Sequence, residues 1–188
     1  MSAEQALADF NDLFNSTTET VPQNKVEYFN FATSEKQVRS SGFAGCFGVV
    51  VAGKQACIVA HMSQTRDAVT AAKDAIQGYF ETFPGTLLPS KVYIYAQVEL
   101  QTRTKAKYSE LYNDLFASLE ELTESTPILV GYIDPIEACL NQNGTPIPGT
   151  SPEKCAFGKL VIKSDGDRVT EPTVQFITID MQFLEVQG

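Results

Sequence analysis

The sequence predicts an α+β fold: a layered α/β sandwich with mixed, largely antiparallel sheets, a Cys–His hairpin and two main amphipathic helices. Three observations predict it. Residues 46–61 read as a β-hairpin rich in β-branched side chains, two stretches carry apolar residues at helical spacing, and each helix leads into a β-rich segment. With 188 residues the chain is long enough for one domain with a sizeable core, so residues 1–188 are expected to form a single unit.

The elements follow in order. Residues 3–14 suit an amphipathic helix, with Ala6, Leu7, Phe10, Leu13 and Phe14 on one stripe. Residues 15–24 are polar, contain Pro22 and read as a loop before a core of about 25–188. Residues 25–31 alternate as an edge strand would. Residues 40–45 form a glycine-rich turn. Residues 46–52 (CFGVVVA) and 55–61 (QACIVAH) read as two strands joined by a two-residue turn at Gly53–Lys54. Residues 65–83 form the clearest helix, with Val69, Ala72, Ile76, Tyr79, Phe80 and Phe83 inward and Pro84–Gly85 as the stop. Residues 91–100 alternate as a strand: Val92, Ile94, Ala96, Val98 and Leu100 share one face, and Tyr93, Tyr95, Gln97 and Glu99 the other. A covering helix is the favoured neighbour of the tyrosine face, with a substrate groove as the alternative. Residues 104–122 read as a second helix and 127–134 as a strand. A long loop at 141–157 is rich in Gly, Pro and Asn, and such loops tend to carry function. Strands at 158–163 and 174–183 close the chain.

The net charge of −9 disfavours nonspecific binding to nucleic acid or to anionic membrane. No apolar run approaches the roughly 20 residues that a spanning helix needs, and the acidic start does not resemble a secretory signal. A cytoplasmic protein is expected. Cys46, Cys57, Cys139 and Cys155 include no C-x-x-C pair, which argues against a zinc ribbon or a thioredoxin-like site. Cys139 and Cys155 flank one loop and could pair on oxidation. Asp134, Glu137 and Asp180 are scattered, and with one histidine in the chain no metal or other cofactor is expected. No phosphate-binding glycine motif precedes a helix.

The candidate chemistry lies in the hairpin. A thiol nucleophile needs a neighbouring base to take its proton and backbone N–H groups to hold the oxyanion. Cys46 opens the first strand directly after Gly42-Phe43-Ala44-Gly45, and His61 closes the second. A turn centred between residues 53 and 54 sets the two directly opposite each other, on one face, with Cβ atoms about 4.5–5.5 Å apart. Gly45 and Cys46 are the candidate backbone donors for an oxyanion, and Gly42, Phe43 and Met62 are expected to line the substrate side.

The segment Ser40-Ser41-Gly42-Phe43-Ala44-Gly45-Cys46 resembles the Thr-x-Gly-x-Gly-Ser-Cys segment of the CheD chemotaxis receptor glutamine deamidases, and Val59-Ala60-His61-Met62 is similar to that family's Met-Ala-His segment. A comparable Cys…His hairpin occurs in the cytotoxic necrotizing factor toxins. The likeness spans residues 40–64. It implies an α/β sandwich with Cys46 as nucleophile, His61 as general base and acid, and Ser40, in place of the family's Thr, orienting the imidazole. Gly45 replaces the family's usual Ser before the Cys, and Met62-Ser63-Gln64 stands where Met-Leu-Pro usually follows the His. The implied reaction is hydrolysis of a glutamine side-chain amide through a thioester, with transamidation if an amine replaces water. The expected partner is a protein presenting a glutamine, or a small amide or thioester. The alternatives are a non-catalytic binding or scaffold protein that keeps the fold, and a biosynthetic enzyme acting on a small amide or thioester with the same pair.

Overall fold

Two five-stranded sheets lie face to face, with helices on both outer sides, in a computed structural model that describes residues 2–32, 34–83, 85–141, 144–149, 158–177 and 183–186. The helices are α1 (Ala3–Ser16), α2 (Arg66–Thr82), α3 (Ser109–Thr123) and the single turn α4 (Pro135–Ala138). The strands are β1 (Glu19–Thr20), β2 (Lys25–Asn30), β3 (Lys36–Phe43), β4 (Cys46–Gly53), β5 (Ala56–Ser63), β6 (Ser90–Gln97), β7 (Ile128–Tyr132), β8 (Gly158–Ser164), β9 (Thr173–Ile177) and β10 (Phe183–Val186). One sheet runs β1-β3-β8-β9-β10 and the other β2-β5-β4-β6-β7. Pairing is antiparallel except for β1 with β3 and β6 with β7, so the fold is the expected α+β sandwich. Among the described residues no helix is long and apolar enough to cross a membrane.

Alternation along the strands sorts the core into layers. Phe47, Val49, Val51, Ile58, Ala60, Met62, Ile94 and Ala96 point from the second sheet toward α2 and α3, where they meet Val69, Ile76, Leu115 and Leu119. The opposite face of the same strands presents Cys46, Val50, Cys57, Val59, Tyr93 and Tyr95 to Val38, Phe43, Leu160, Ile162 and Phe176 of the first sheet. The cover over Tyr93 and Tyr95 is therefore a second sheet, neither the expected helix nor a groove. The two tyrosines are 1% and 0% exposed. Phe10 and Phe14 of α1 seal the outer side of the first sheet against Val161 and Ile177.

Several boundaries differ from the sequence reading. Residues 36–43 form a strand, although only Val38 is β-branched there; Val38 and Ser40 alternate inward, and the irregularity between Ser41 and Phe43 buries Phe43 as well. The hairpin turn is Lys54–Gln55, since Gly53 pairs onward with Ser90 as the last residue of β4. Glycine is required at 53 for another reason: a Cβ there would come within 2.6 Å of the Leu87 carbonyl oxygen. Strand β6 ends at Gln97, and a turn containing Arg103 with φ of 56° precedes α3, which begins at Ser109. The expected strand 174–183 is two strands, β9 and β10, paired with each other. Of the loop 141–157, residues 142–143 and 150–157 lie outside the described residues, as do Cys155 and Asp180.

Candidate active site

The start of β4 meets the ends of β5, β6 and β7, because β4 runs antiparallel to β5 and β6 while β7 parallels β6. This gathers Cys46, Ser63, Gln97 and Tyr132 at one end of the strands. Facing them across the interlayer is the end of β3, from which the chain passes to β4 through Ala44 and Gly45. Gly45 has φ of +67°, a left-handed conformation that glycine adopts without strain.

The register corrects the expected direct opposition of thiol and imidazole. Cys46 pairs with Ser63, and His61 pairs with Gly48. The shift is two residues, which preserves the face, so Cys46 and His61 remain on the interlayer side. They are diagonal neighbours, a relation that separates backbones by about 7–8 Å and that a long or aromatic side chain can span. No hydrogen bond joins His61 Nε2 to the sulfur: that nitrogen is buried and has no hydrogen-bond partner among the described residues.

The other imidazole nitrogen is held across the interlayer. Ser40 Oγ lies 3.1 Å from His61 Nδ1 and 2.7 Å from the Val21 carbonyl oxygen. A carbonyl can only accept, so the Ser40 hydroxyl donates to Val21 and its lone pairs face Nδ1. Nδ1 therefore carries the ring hydrogen, and Nε2 presents a bare lone pair. The Phe43 ring stacks on the imidazole at 4.0 Å between centroids and 21° between planes. Two glycines admit that ring. A Cβ on Gly48 would meet Phe43 Cε1 at 2.9 Å, and one on Gly158 would meet Phe43 Cβ at 2.8 Å. His61 is 2% exposed, and burial pushes its pKa down to about 4. The imidazole is neutral at physiological pH, in the state that accepts a proton.

Cys46 is held differently. It is 2% exposed, and burial raises its thiol pKa, an effect opposed by a backbone hydrogen bond at Ala44. The resting pair is accordingly thiol and neutral imidazole. Tyr132, itself buried, accepts the Cys46 backbone N–H at 2.8 Å and donates to the Cys46 carbonyl at 2.6 Å. This corrects the expectation that the Cys46 N–H is open to an oxyanion, because the tyrosine oxygen occupies it. Gly45, the other expected backbone donor, lies beside the Gln64 and Gln97 side chains, whose Oε1 atoms would each stand 3.9 Å from a Cβ built on it.

Sequence reading missed the segment 21–24, which it assigned to a polar loop. Val21 anchors Ser40. Gln23 Nε2 donates to Cys46 Sγ at 3.4 Å and to Ser63 Oγ at 2.9 Å. Asn24, in the left-handed region with φ of 59°, accepts both the Ser63 N–H and the Ser63 hydroxyl at 3.0 Å. The available signal was the Pro22-Gln23-Asn24 turn chemistry, which marks a turn and not what the turn covers.

The remaining expected residues fall as follows. Phe43 lines the imidazole from within the core and is fully buried. Gly42, with φ of +83°, sits at the bulge between Ser41 and Phe43. Met62 points to the helix side, so it does not line the thiol; it borders a cleft with Val26, Ala68 and Ala72. Cys57 is buried in the interlayer core, and burial raises its pKa. Asp134 caps α4, and Glu137 accepts from Gln97 at 3.0 Å and pairs with Lys107. Among the described residues no group of three His, Cys, Asp or Glu could hold a metal ion. No protein-family model and no curated protein matches this chain.

Proposed function

We propose that the protein is a cysteine-dependent amidohydrolase of cytoplasmic setting that acts on the primary carboxamide of a glutamine side chain. The observation that carries this reading is the Val21–Ser40–His61 chain of hydrogen bonds. It leaves a bare Nε2 lone pair on a neutral, buried imidazole that lies on the same sheet face as Cys46. A structural histidine needs no such arrangement, and an unpartnered buried nitrogen costs stability unless something arrives to use it.

In the proposed reaction His61 Nε2 takes the thiol proton as Cys46 Sγ adds to the amide carbon. The tetrahedral oxyanion collapses to a thioester, and His61 returns the proton to the departing ammonia. Water, deprotonated by the same nitrogen, then releases the carboxylate and restores the thiol. An amine in place of water gives transamidation. The likeness of residues 40–64 to the glutamine deamidases supports the same assignment.

One observation favours a second reading, a binding protein that keeps the fold: the thiol is 2% exposed and makes no hydrogen bond to the imidazole. The deciding experiment is alkylation of Cys46 by iodoacetamide as a function of pH, read at peptide level, in the wild type and in His61→Gln. A coupled pair keeps labelling below pH 8 in the wild type and loses it in the variant. If both titrate as one ordinary thiol, the enzymatic reading fails.

A further inference from the structure

The Cys46 sulfur is covered by a carboxamide supplied by the chain itself. Gln23 is exposed to solvent on its outer side, while its Nε2 reaches Cys46 Sγ at 3.4 Å and Ser63 Oγ at 2.9 Å. Both acceptors are constrained. The Ser63 hydroxyl hydrogen goes to Asn24 Oδ1 at 3.0 Å, and the same oxygen takes the Ser63 N–H, so the hydroxyl turns a lone pair toward Gln23. The seat between sulfur and hydroxyl thus asks for one nitrogen with two N–H donors. A primary carboxamide meets that demand. A peptide-bond nitrogen, with one N–H, does not. The carbon that a nucleophile would attack is one bond from the seated nitrogen, and the unpartnered His61 Nε2 is buried on the same face.

We propose that Gln23 is a built-in pseudosubstrate: its carboxamide occupies the seat between Cys46 Sγ and Ser63 Oγ that a substrate's primary carboxamide takes, and it must lift away before substrate enters. This rests on the proposed amidohydrolase reading and adds two things to it. The seat selects glutamine or asparagine side chains over backbone amides, and the resting protein is self-covered. The low exposure of the thiol, cited above in favour of a binding protein, is then a property of the covered state.

The test is the second-order rate of iodoacetamide alkylation at Cys46 at pH 7.5, read by peptide mass spectrometry, in the wild type, Gln23→Ala and Gln23→Ser. The expected result is a rise of at least tenfold in both variants, whose folding is checked by thermal melting; the exposed position of Gln23 makes either one sufficient. In the variants, propionamide slows alkylation at least twofold while propionate does not, and in the wild type propionamide has no effect. Rates within twofold of the wild type overturn the proposal. So does equal protection by propionate and propionamide, or protection by neither. The double variant Gln23→Ala/His61→Gln separates the two readings. If it labels fast and is protected by propionamide, with the pH profile of Gln23→Ala, the seat stands and the His61 chemistry falls.

Discussion

The two faces of the β4–β5 hairpin are built from opposite materials. Toward α2 and α3 the strands present Phe47, Val49, Val51, Ile58, Ala60 and Met62, an unbroken apolar surface. Toward the first sheet the same strands present Cys46, Gly48, Val50, Cys57, Val59 and His61, interrupted by two thiols, a missing side chain and an imidazole. The first face meets its helices through apolar burial. The second gives up apolar contact at Gly48 to admit Phe43, and at His61 to place a titratable ring whose Nδ1 hydrogen-bonds to Ser40 on the other sheet. One face is specified by volume and the other by individual atoms.

This contrast can be broken experimentally, beginning with the largest effect. Phe43→Ala removes the ring that packs on His61 and Tyr95 and is expected to cost about 3–5 kcal/mol in urea unfolding. Met62→Ala, on the helix face, is expected to cost about 2–5 kcal/mol. It should leave the pH profile of Cys46 alkylation unchanged, whereas Phe43→Ala should abolish the contribution of His61. If Met62→Ala moves that profile, the faces are not separate.

The next effect is one of pH. The folded pKa of His61 is about 4, below its ordinary 6.5, so between these values the unfolded chain binds the extra proton. Stability is complete above pH 6.5 and falls as pH drops to 4, by roughly 3 kcal/mol from this residue. His61→Gln should flatten that part of the urea-midpoint profile; an unchanged slope would place the proton elsewhere. Gly48→Ala drives a methyl into the Phe43 ring and is expected to cost about 1–3 kcal/mol. The smallest effect is Ser40→Ala, about 1–2 kcal/mol, with Ser40→Thr restoring the His61-dependent alkylation. Loss of stability without loss of that dependence would make Ser40 a structural residue only.

The legibility of each face follows from its materials. The helix face was readable because volume repeats: the periodicity of residues 46–62 and of α2 marks both partners. Cys46 and His61 were readable as candidates on one face. Their register was not, because Gly53 was taken as a turn former when the approach of the Leu87 backbone requires it. Strand β3 was illegible because a buried Ser40 breaks the apolar alternation, and its reason, the Val21 carbonyl and His61 Nδ1, lies on other elements. Gln23 and Tyr132 were illegible for the same cause. The partners of Gln23 are 23 and 40 residues away and that of Tyr132 is 86 residues away, and no local pattern records a single hydrogen bond over such a span.

The brace on Cys46 also sets a timetable. Both backbone groups of the cysteine close onto the hydroxyl of Tyr132 at the far end of β7. Strand β3, which carries Ser40, pairs along its length with β8, which comes later still. On a growing chain the sulfur, the imidazole and the serine are all synthesised long before these partners emerge. The thiol is consequently unbraced until Tyr132 has emerged, and the pair acquires its geometry only when β7 and β8 have joined the sandwich.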